Sequence, residues 1–153
     1  MKNDRGFGLI ELIVVIAIIG LLSTIAMVVM FGAKEKARDA KRIADAKQIQ
    51  LALNIYFNDK ELYPETIEAI TLGEGNFTCL SANGFELSCL TESLVYIKSI
   101  PSAPTPPQDN KYTYVSTDDS NDFQLSFTLE KINQSLGIGK KCVITKTKVE
   151  CKE

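Results

Sequence analysis

The stretch that decides the fold is FGLIELIVVIAIIGLLSTIAMVVMFGA, residues 7–33, in which Glu11 is the only charged residue. An α-helix of these 27 residues is about 40 Å long, and a bilayer needs only about 20 apolar residues. A cleaved secretory signal is disfavoured, because its apolar region would be about 7–15 residues long and would end in a small-residue cleavage site. The stretch therefore predicts a transmembrane helix.

The remainder of the chain predicts a small exported domain. All four cysteines lie in residues 59–153, which suits a head held together by disulfides in an oxidising compartment. Four cysteines allow three connectivities. We favour Cys79–Cys89 and Cys142–Cys151, because each pair closes a short local loop.

Composition argues against an enzyme. The chain has no histidine, which excludes histidine-based triads and histidine metal sites, and no cofactor or catalytic constellation is indicated. Residues 34–58 hold six basic and three acidic residues (+3), whereas residues 59–153 hold nine lysines, no arginine and fourteen acids (−5). Nucleic acid is therefore an unsupported partner. The local lysine cluster is interpreted as a solvated hairpin surface; it comprises Lys140, Lys141, Lys146 and Lys148.

After the apolar stretch, residues 34–58 predict an amphipathic continuation of the helix. Apolar residues recur there at steps of three and four, which places them on one face. They are Ile43, Ala46, Ile49, Leu53 and Tyr56. Such a face requires a sheet to cover it.

The clearest strand signal is a hairpin in which YTYVS (112–116) and FQLSFTLE (123–130) flank the turn TDDSND (117–122). Its alternating apolar residues should pack on the helix; they are Phe123, Leu125, Phe127 and Leu129. We considered calcium at Asp118, Asp119 and Asp122, but their spacing is not that of a recognised calcium loop, so a solvated turn is favoured.

Other segments carry weaker signals. TIEAITL (66–72) and TESLVYIKSI (91–100), with Thr91 as its cap, each predict a short helix, and PSAPTPPQDN (101–110) predicts a loop. An Asn83-Gly84 turn predicts a hairpin in which Cys79 faces Ser88, so a Cys79–Cys89 bridge would need a longer loop or a bulge. CVITKTKVEC (142–151) predicts a hairpin with Cys142 opposite Cys151.

The N-terminal sequence Arg5-Gly6-Phe7-Gly8-Leu9-Ile10-Glu11, followed by an uncharged run, resembles the processing motif of type IV pilins and type II secretion pseudopilins. Gly20, residues 32–37 and the 58–64 region extend the likeness. The resemblance implies that a prepilin peptidase cuts after Gly6 and methylates Phe7. It also implies four parts: a leader (1–6), a transmembrane and assembly half of the helix (7–33), an amphipathic half (34–58) and a globular head (59–153).

The resemblance also implies a role for Glu11. A carboxylate in lipid is costly, and the methylated amine of Phe7 in a neighbouring copy, about one helical turn away, would pair with it and set the register of assembly. The alternative is that Glu11 only favours the positive end of the helix dipole.

From these features we expect an α+β protein, with a long N-terminal transmembrane and amphipathic helix packed on a small antiparallel sheet. Lysines and arginines after the span would place the head in the cytoplasm by the positive-inside rule. The cysteines and the resemblance place it outside the cytoplasmic membrane, and later in a cell-surface filament.

The expected function is a structural subunit of a type IV pilus-like filament for adhesion, motility or DNA uptake. The expected partners are other copies of the chain, the prepilin peptidase, the membrane and an inner-membrane assembly platform. A pseudopilin of a type II secretion system and a DNA-binding competence pilin are the alternatives.

Overall fold

A computed structural model describes residues 8–90, 94–137 and 139–152 of the chain. It divides into two compact units, Met1–Lys36 and Ala37–Glu153, and each is considered by itself. Helix α1, Leu9–Lys60, contributes residues to both units.

The described part of the first unit is helical from Leu9 onward. It contains an 18-residue window with a mean hydropathy of 3.0, none of which is buried. Within the residues that the structure describes, α1 is the one helix long and apolar enough to cross a membrane. The stretch after Gly8 is dominated by Leu, Ile and Val and contains no proline, so nothing in it ends the helix before Gly32.

In the second unit, eight strands follow the helix among the described residues. They are β1 (Ile70–Leu72), β2 (Cys79–Ser81), β3 (Gly84–Glu86), β4 (Val95–Ile97), β5 (Tyr112–Thr117), β6 (Asp122–Thr128), β7 (Lys141–Ile144) and β8 (Val149–Lys152). Five form an antiparallel sheet in the order β1-β5-β6-β7-β8, and three form a smaller sheet in the order β3-β2-β4. The expected α+β class is confirmed.

The core lies between the second part of α1 and the larger sheet. The inward residues of β6 are buried, as their alternation predicted: Phe123, Leu125 and Phe127, with Leu129 just beyond the strand. On the helix, Ala46, Ile49 and Leu53 belong to the same core cluster, while Ile43 and Tyr56 are partly buried at its edge. Alternation at period two and a stripe at period 3.6 thus meet face to face.

Two predictions of short helices are wrong. Residues 70–72 form β1, paired with β5, and residues 95–97 form β4, paired with β2. Both segments are short and carry β-branched residues that favour a strand once a neighbouring strand is available. The expected cap of the second helix, Thr91, lies outside the described residues.

The β2–β3 hairpin turns one residue earlier than expected. Ser81 pairs with Gly84, so Ala82 and Asn83 form the turn, and Cys79 lies opposite Glu86 rather than Ser88. Gly84 has a φ of 103°, a conformation that glycine adopts readily. The chain after Glu86 then returns Cys89 to Cys79, with which it forms a disulfide.

The C-terminal hairpin of β7 and β8 has the expected register. Cys142 faces Cys151, and the two form the second disulfide. The segment before β7 packs against β8, because Cys151 donates its N–H to the Leu136 carbonyl at 2.8 Å. Gly137 has a φ of 141°, and a Cβ there would collide with the Cys151 carbonyl, so this close approach requires glycine.

Candidate assembly site

The N-terminal end of α1 contains the one carboxylate of the apolar stretch. Gly8 precedes the helix, and its carbonyl accepts hydrogen bonds from the N–H groups of Glu11 (3.0 Å) and Leu12 (3.3 Å). The Glu11 carboxylate folds back, and its Oε2 accepts the Gly8 N–H at 2.9 Å. This is the carboxylate half of a capping box, so Glu11 stabilises the helix start of a single chain.

The apolar side chains of this helix are open to their surroundings. Every large apolar side chain from Leu9 to Phe31 is exposed, with exposed fractions between 44% and 77%. Burying one such side chain contributes about 1.5–3 kcal/mol, so the run requires lipid or other protein around it.

The few polar groups in this run do not oppose burial. The hydroxyls of Ser23 and Thr24 donate to the carbonyls of Ile19 and Leu21, each at 2.7 Å. A hydroxyl bonded to its own helix can enter an apolar environment at low cost. Glu11 is therefore the one charge that assembly or membrane insertion must accommodate between Leu9 and Ala33.

A second polar cluster lies in the head, on the core-facing side of α1. Arg42 is fully buried, and its guanidinium bonds the carboxylates of Asp39 (2.6 Å) and Glu130 (3.0 Å). It also donates to the carbonyls of Pro104, at 2.7 Å, and Pro106. One helix side chain thus fixes both the proline-rich loop and the segment that follows β6.

The other members of the cluster add to this attachment. Arg38 forms a two-pronged bond with Glu130, both contacts being 2.6 Å. The Asp39 carboxylate accepts the backbone N–H groups of Glu130 (2.9 Å) and Lys131 (3.0 Å). This cluster was not predicted from the sequence, because its residues are charged and the predicted stripe contains only apolar residues and Tyr56. Asp39 and Arg42 nevertheless continue the buried stripe toward the N-terminus at the same spacing.

Electrostatics in the cluster strongly favours the ionised carboxylate. Hydrogen bonds from Arg38, and then those from Arg42, lower the pKa of Glu130 from 4.5 to about 2, against the opposing effect of burial. Two guanidinium groups facing one carboxylate keep it charged across the physiological pH range.

The lysine cluster is solvated, as expected, because all four of its residues are exposed. The ammonium of Lys146 lies 3.7 Å from the centroid of the Phe57 ring, and its backbone N–H donates to Asp122 at 2.9 Å. Lys148 pairs with Glu150 at 2.9 Å, on an exposed part of the hairpin. The tip of the β7–β8 hairpin is therefore held against the end of α1, while its lysines remain exposed.

The acidic turn uses its carboxylates for local structure. Asp122 accepts the N–H groups of Phe123 and Lys146, while Asp118 and Asp119 have positive φ values of 54° and 50° and exposed side chains. Across the described residues, no group of three or more acidic or cysteine side chains is arranged to hold a metal. Of the three acids, Asp122 is the one whose carboxylate is seen to bond the backbone here.

The predicted processing residues Gly6 and Phe7 lie outside the described residues. The four cysteines form the same two pairs as those favoured from the sequence. The geometry thus defines a disulfide-bonded α+β head attached to an exposed apolar helix with a single acid near its start.

Comparison with known proteins places this architecture in a family. The prokaryotic N-terminal methylation motif matches residues 1–30. The type II secretion system core protein G of Vibrio cholerae serotype O1 is 30% identical over 139 residues, which are 91% of this chain and 88% of that protein. Core protein G of Klebsiella pneumoniae is 37% identical over 70 residues, covering 46% of this chain and 50% of that protein.

A pilin is also similar. The type IV major pilin protein PilA of Myxococcus xanthus is 39% identical over 65 residues, covering 41% of this chain and 29% of that protein. No solved structure matches the chain significantly. Fold and site together define an α+β protein with a long apolar helix whose N-terminal part is exposed. The chain belongs to the type IV pilin and type II secretion pseudopilin family, whose members are structural proteins and not enzymes.

Proposed function

We propose that the chain is a pseudopilin that builds the filament of a type II secretion system. The observation that carries the proposal is the extent of the likeness to the Vibrio cholerae core protein G. At most 153 − 139 = 14 residues of this chain lie outside that match, so it includes most of the head. The pilin match spans 65 residues and is too short to include the whole head.

This proposal reverses the order of preference reached from the sequence, which placed a pilus first. That order rested on the two disulfides and on the lack of a convincing calcium loop. Disulfides stabilise a small exported head whichever filament it enters, so they discriminate poorly between a pilus and a pseudopilus. A type IV pilus subunit remains the second candidate, favoured by the 39% identity to the Myxococcus xanthus pilin.

Processing and location follow from the same proposal. The prepilin peptidase cuts after Gly6 and methylates Phe7, both of which lie in the part of the chain that the methylation motif matches. Before assembly, residues 7–33 anchor the chain in the cytoplasmic membrane and residues 59–153 lie on the extracytoplasmic side. The two disulfides support that orientation, because they require an oxidising compartment.

Assembly then exchanges lipid for other copies of the chain. An inner-membrane platform driven by a separate ATPase lifts the processed subunit, and the exposed apolar helix packs against identical helices. In this step the Glu11 carboxylate exchanges its bond to the Gly8 N–H for the methylated amine of Phe7 in a neighbour. Burying these two charges costs little free energy only when the carboxylate and the amine lie side by side, so the pair selects one register of neighbouring helices.

The experiment is a deletion of the gene in its host, with complementation by the full chain. The deletion should abolish protein secretion, so that the secreted substrates accumulate behind the outer membrane. Complementation with the full chain should restore secretion. Mass spectrometry of the subunit in overproduced filaments should give a chain that begins at methylated Phe7. If the deletion strain secreted normally but lost its surface pili, the chain would be a pilus subunit and not a pseudopilin.

A further inference from the structure

After residue 33 of the chain, α1 has an exposed face that the head does not cover. Apolar residues recur on it at helical spacing, on the side of α1 away from the core residues Ala46, Ile49 and Leu53. We call it the outer helix face; it comprises Ala37, Ala40, Ala44, Leu51 and Ile55. Leu51 is 61% exposed and Ile55 is 43% exposed, so the face carries large apolar groups as well as small ones.

The outer helix face is also basic. Lys41 and Lys47 are exposed and flank it on either side. The negative residues nearest to it are already engaged elsewhere: Asp45 accepts the Tyr112 hydroxyl at 3.2 Å, and Asp59 accepts the Tyr96 hydroxyl at 3.1 Å. Within the described residues, neither lysine makes an ion pair.

The segment after the helix has the complementary character. We call residues 61–68 the glutamate segment, since Glu61, Glu65 and Glu68 are exposed in it, together with Leu62 and Ile67. Ile67 is 98% exposed, although isoleucine is among the residues that are most often buried in folded proteins. In the described structure, none of the three glutamates makes an ion pair.

The glutamate segment is rigidly presented. Tyr63 and Pro64 are buried; the Tyr63 N–H donates to the Ser120 carbonyl at 2.7 Å, and the Pro64 carbonyl accepts the Tyr114 hydroxyl at 2.7 Å. Its backbone is therefore held by bonds to the sheet and needs little ordering when a partner binds.

From this complementarity we infer that the outer helix face of one copy binds the glutamate segment of another copy, in a contact that rests on the proposed filament. Both surfaces combine apolar groups with charge: Lys41 and Lys47 flank the helix face, and three glutamates lie on the segment. Because the two patches differ, the contact is head-to-tail, and such contacts propagate into open helical filaments.

The inferred contact sets the displacement between the two copies along the helix axis. From Lys47 to Glu61 there are 61 − 47 = 14 residues, which correspond to about 21 Å along a helix. A copy displaced by that distance along the helix axis brings its glutamate segment level with Lys47 of the next. The same chain cannot satisfy itself, because the segment begins only after its own helix has ended.

The test is a charge swap in the full chain, with sheared filaments measured by immunoblot and electron microscopy. Lys41→Glu with Lys47→Glu should lower the filament yield at least tenfold, and Glu65→Lys with Glu68→Lys should do the same. The four changes combined should restore the yield to within threefold of the original chain. The matched control is Lys98→Glu with Lys140→Glu, which makes the same charge change at exposed sites elsewhere and should leave the yield unchanged.

Unchanged yields from both reversals, a loss without restoration in the combined variant, or an equal loss in the control would each overturn the contact. A cysteine pair serves if a reversal impairs folding: Leu51→Cys with Ile67→Cys should give a ladder of cross-linked copies in oxidised filaments, whereas either change alone should not. The absence of a ladder would also overturn the contact. Failure of the original chain to form any filament would instead overturn the proposed function, so the two failures are distinguishable.

Discussion

At the scale of a single residue, Glu11 has one role within a single chain and a second role in the proposed filament. In one chain its carboxylate accepts the Gly8 N–H at 2.9 Å and caps the helix. In the proposed filament the same carboxylate needs its charge, because only an ion pair with a neighbouring amine would fix the register. A hydrogen bond alone needs only an acceptor.

This difference gives a prediction for two variants. Glu11→Gln keeps an oxygen that can accept the Gly8 N–H but loses the charge, and Glu11→Ala loses both. We expect both variants to reduce filament yield at least tenfold, because neither can pair with the Phe7 amine. Filament yield is measured in the shear fraction of cells that produce the full chain.

Urea unfolding of both variants in detergent should leave the stability of the head unchanged, since Glu11 belongs to the other unit. If Glu11→Gln assembled normally while Glu11→Ala did not, the role of Glu11 would be capping alone. Normal assembly of both variants would remove Glu11 from the assembly mechanism altogether.

At the scale of the element, the second part of α1 is a support with two different sides. Its core-facing side carries the apolar stripe and, at the N-terminal end of that stripe, Asp39 and Arg42. These two residues bind loops whose own sequences contain no strong structural signal. The proline-rich loop and the segment after β6 therefore take their positions from the helix.

We expect Arg42→Ala to lower the free energy of unfolding of the head by about 3–5 kcal/mol, because it leaves the carboxylates of buried Asp39 and partly buried Glu130 without their shared cation. The stability of Arg42→Lys should lie between those of Arg42→Ala and the original chain. An ammonium keeps the charge but cannot reach two carboxylates and the proline carbonyls together. Urea unfolding of the full chain in detergent, with both disulfides oxidised, measures the change.

The matched control is Lys41→Ala, one residue earlier on the exposed side of the same helix, which should change stability by no more than about 0.5 kcal/mol. A comparable loss in this control would mean that helix propensity, and not the ion cluster, accounts for the effect. An unchanged Arg42→Ala variant would show that the cluster adds nothing to stability.

At the scale of the whole molecule, stability depends on pH through the same cluster. The pKa of Glu130 is about 2 in the folded chain and 4.5 is its ordinary value, so the unfolded chain binds a proton in a range where the folded chain does not. The resulting stabilisation is complete above about pH 4.5 and is lost as the pH falls toward 2.

We therefore expect the melting temperature of the full chain in detergent to fall steadily between pH 4.5 and pH 2. Glu130→Gln should melt lower at neutral pH, and its melting temperature should fall less steeply over this range. Glu65→Gln, at an exposed position, should keep the original slope. An identical slope in Glu130→Gln and the original chain would contradict the prediction.

Much of this fold follows from local pattern. The long apolar N-terminal helix, the β5–β6 hairpin and the register of the β7–β8 hairpin are all properties of contiguous sequence, and each was predicted correctly. Their common physical basis is that the period of apolar residues, 3.6 or 2, matches only one regular backbone. The short strands β1 and β4 were mistaken for helices, because three residues are too few to show a period. Their conformation is decided by pairing with a neighbouring strand.

The sequence by itself determined that this protein has an apolar helix with one acid near its start, two pairs of cysteines that are each close in sequence, and a likeness to filament subunits. Only the tertiary structure decided that Arg42 is buried between two loops, that Lys146 lies on Phe57, and that the glutamate segment stands exposed on a rigid base. The physical reason is that local periodicity depends on neighbours along the chain, whereas the partner of a charge is chosen among residues brought together from distant positions, here as far apart as residues 42 and 130.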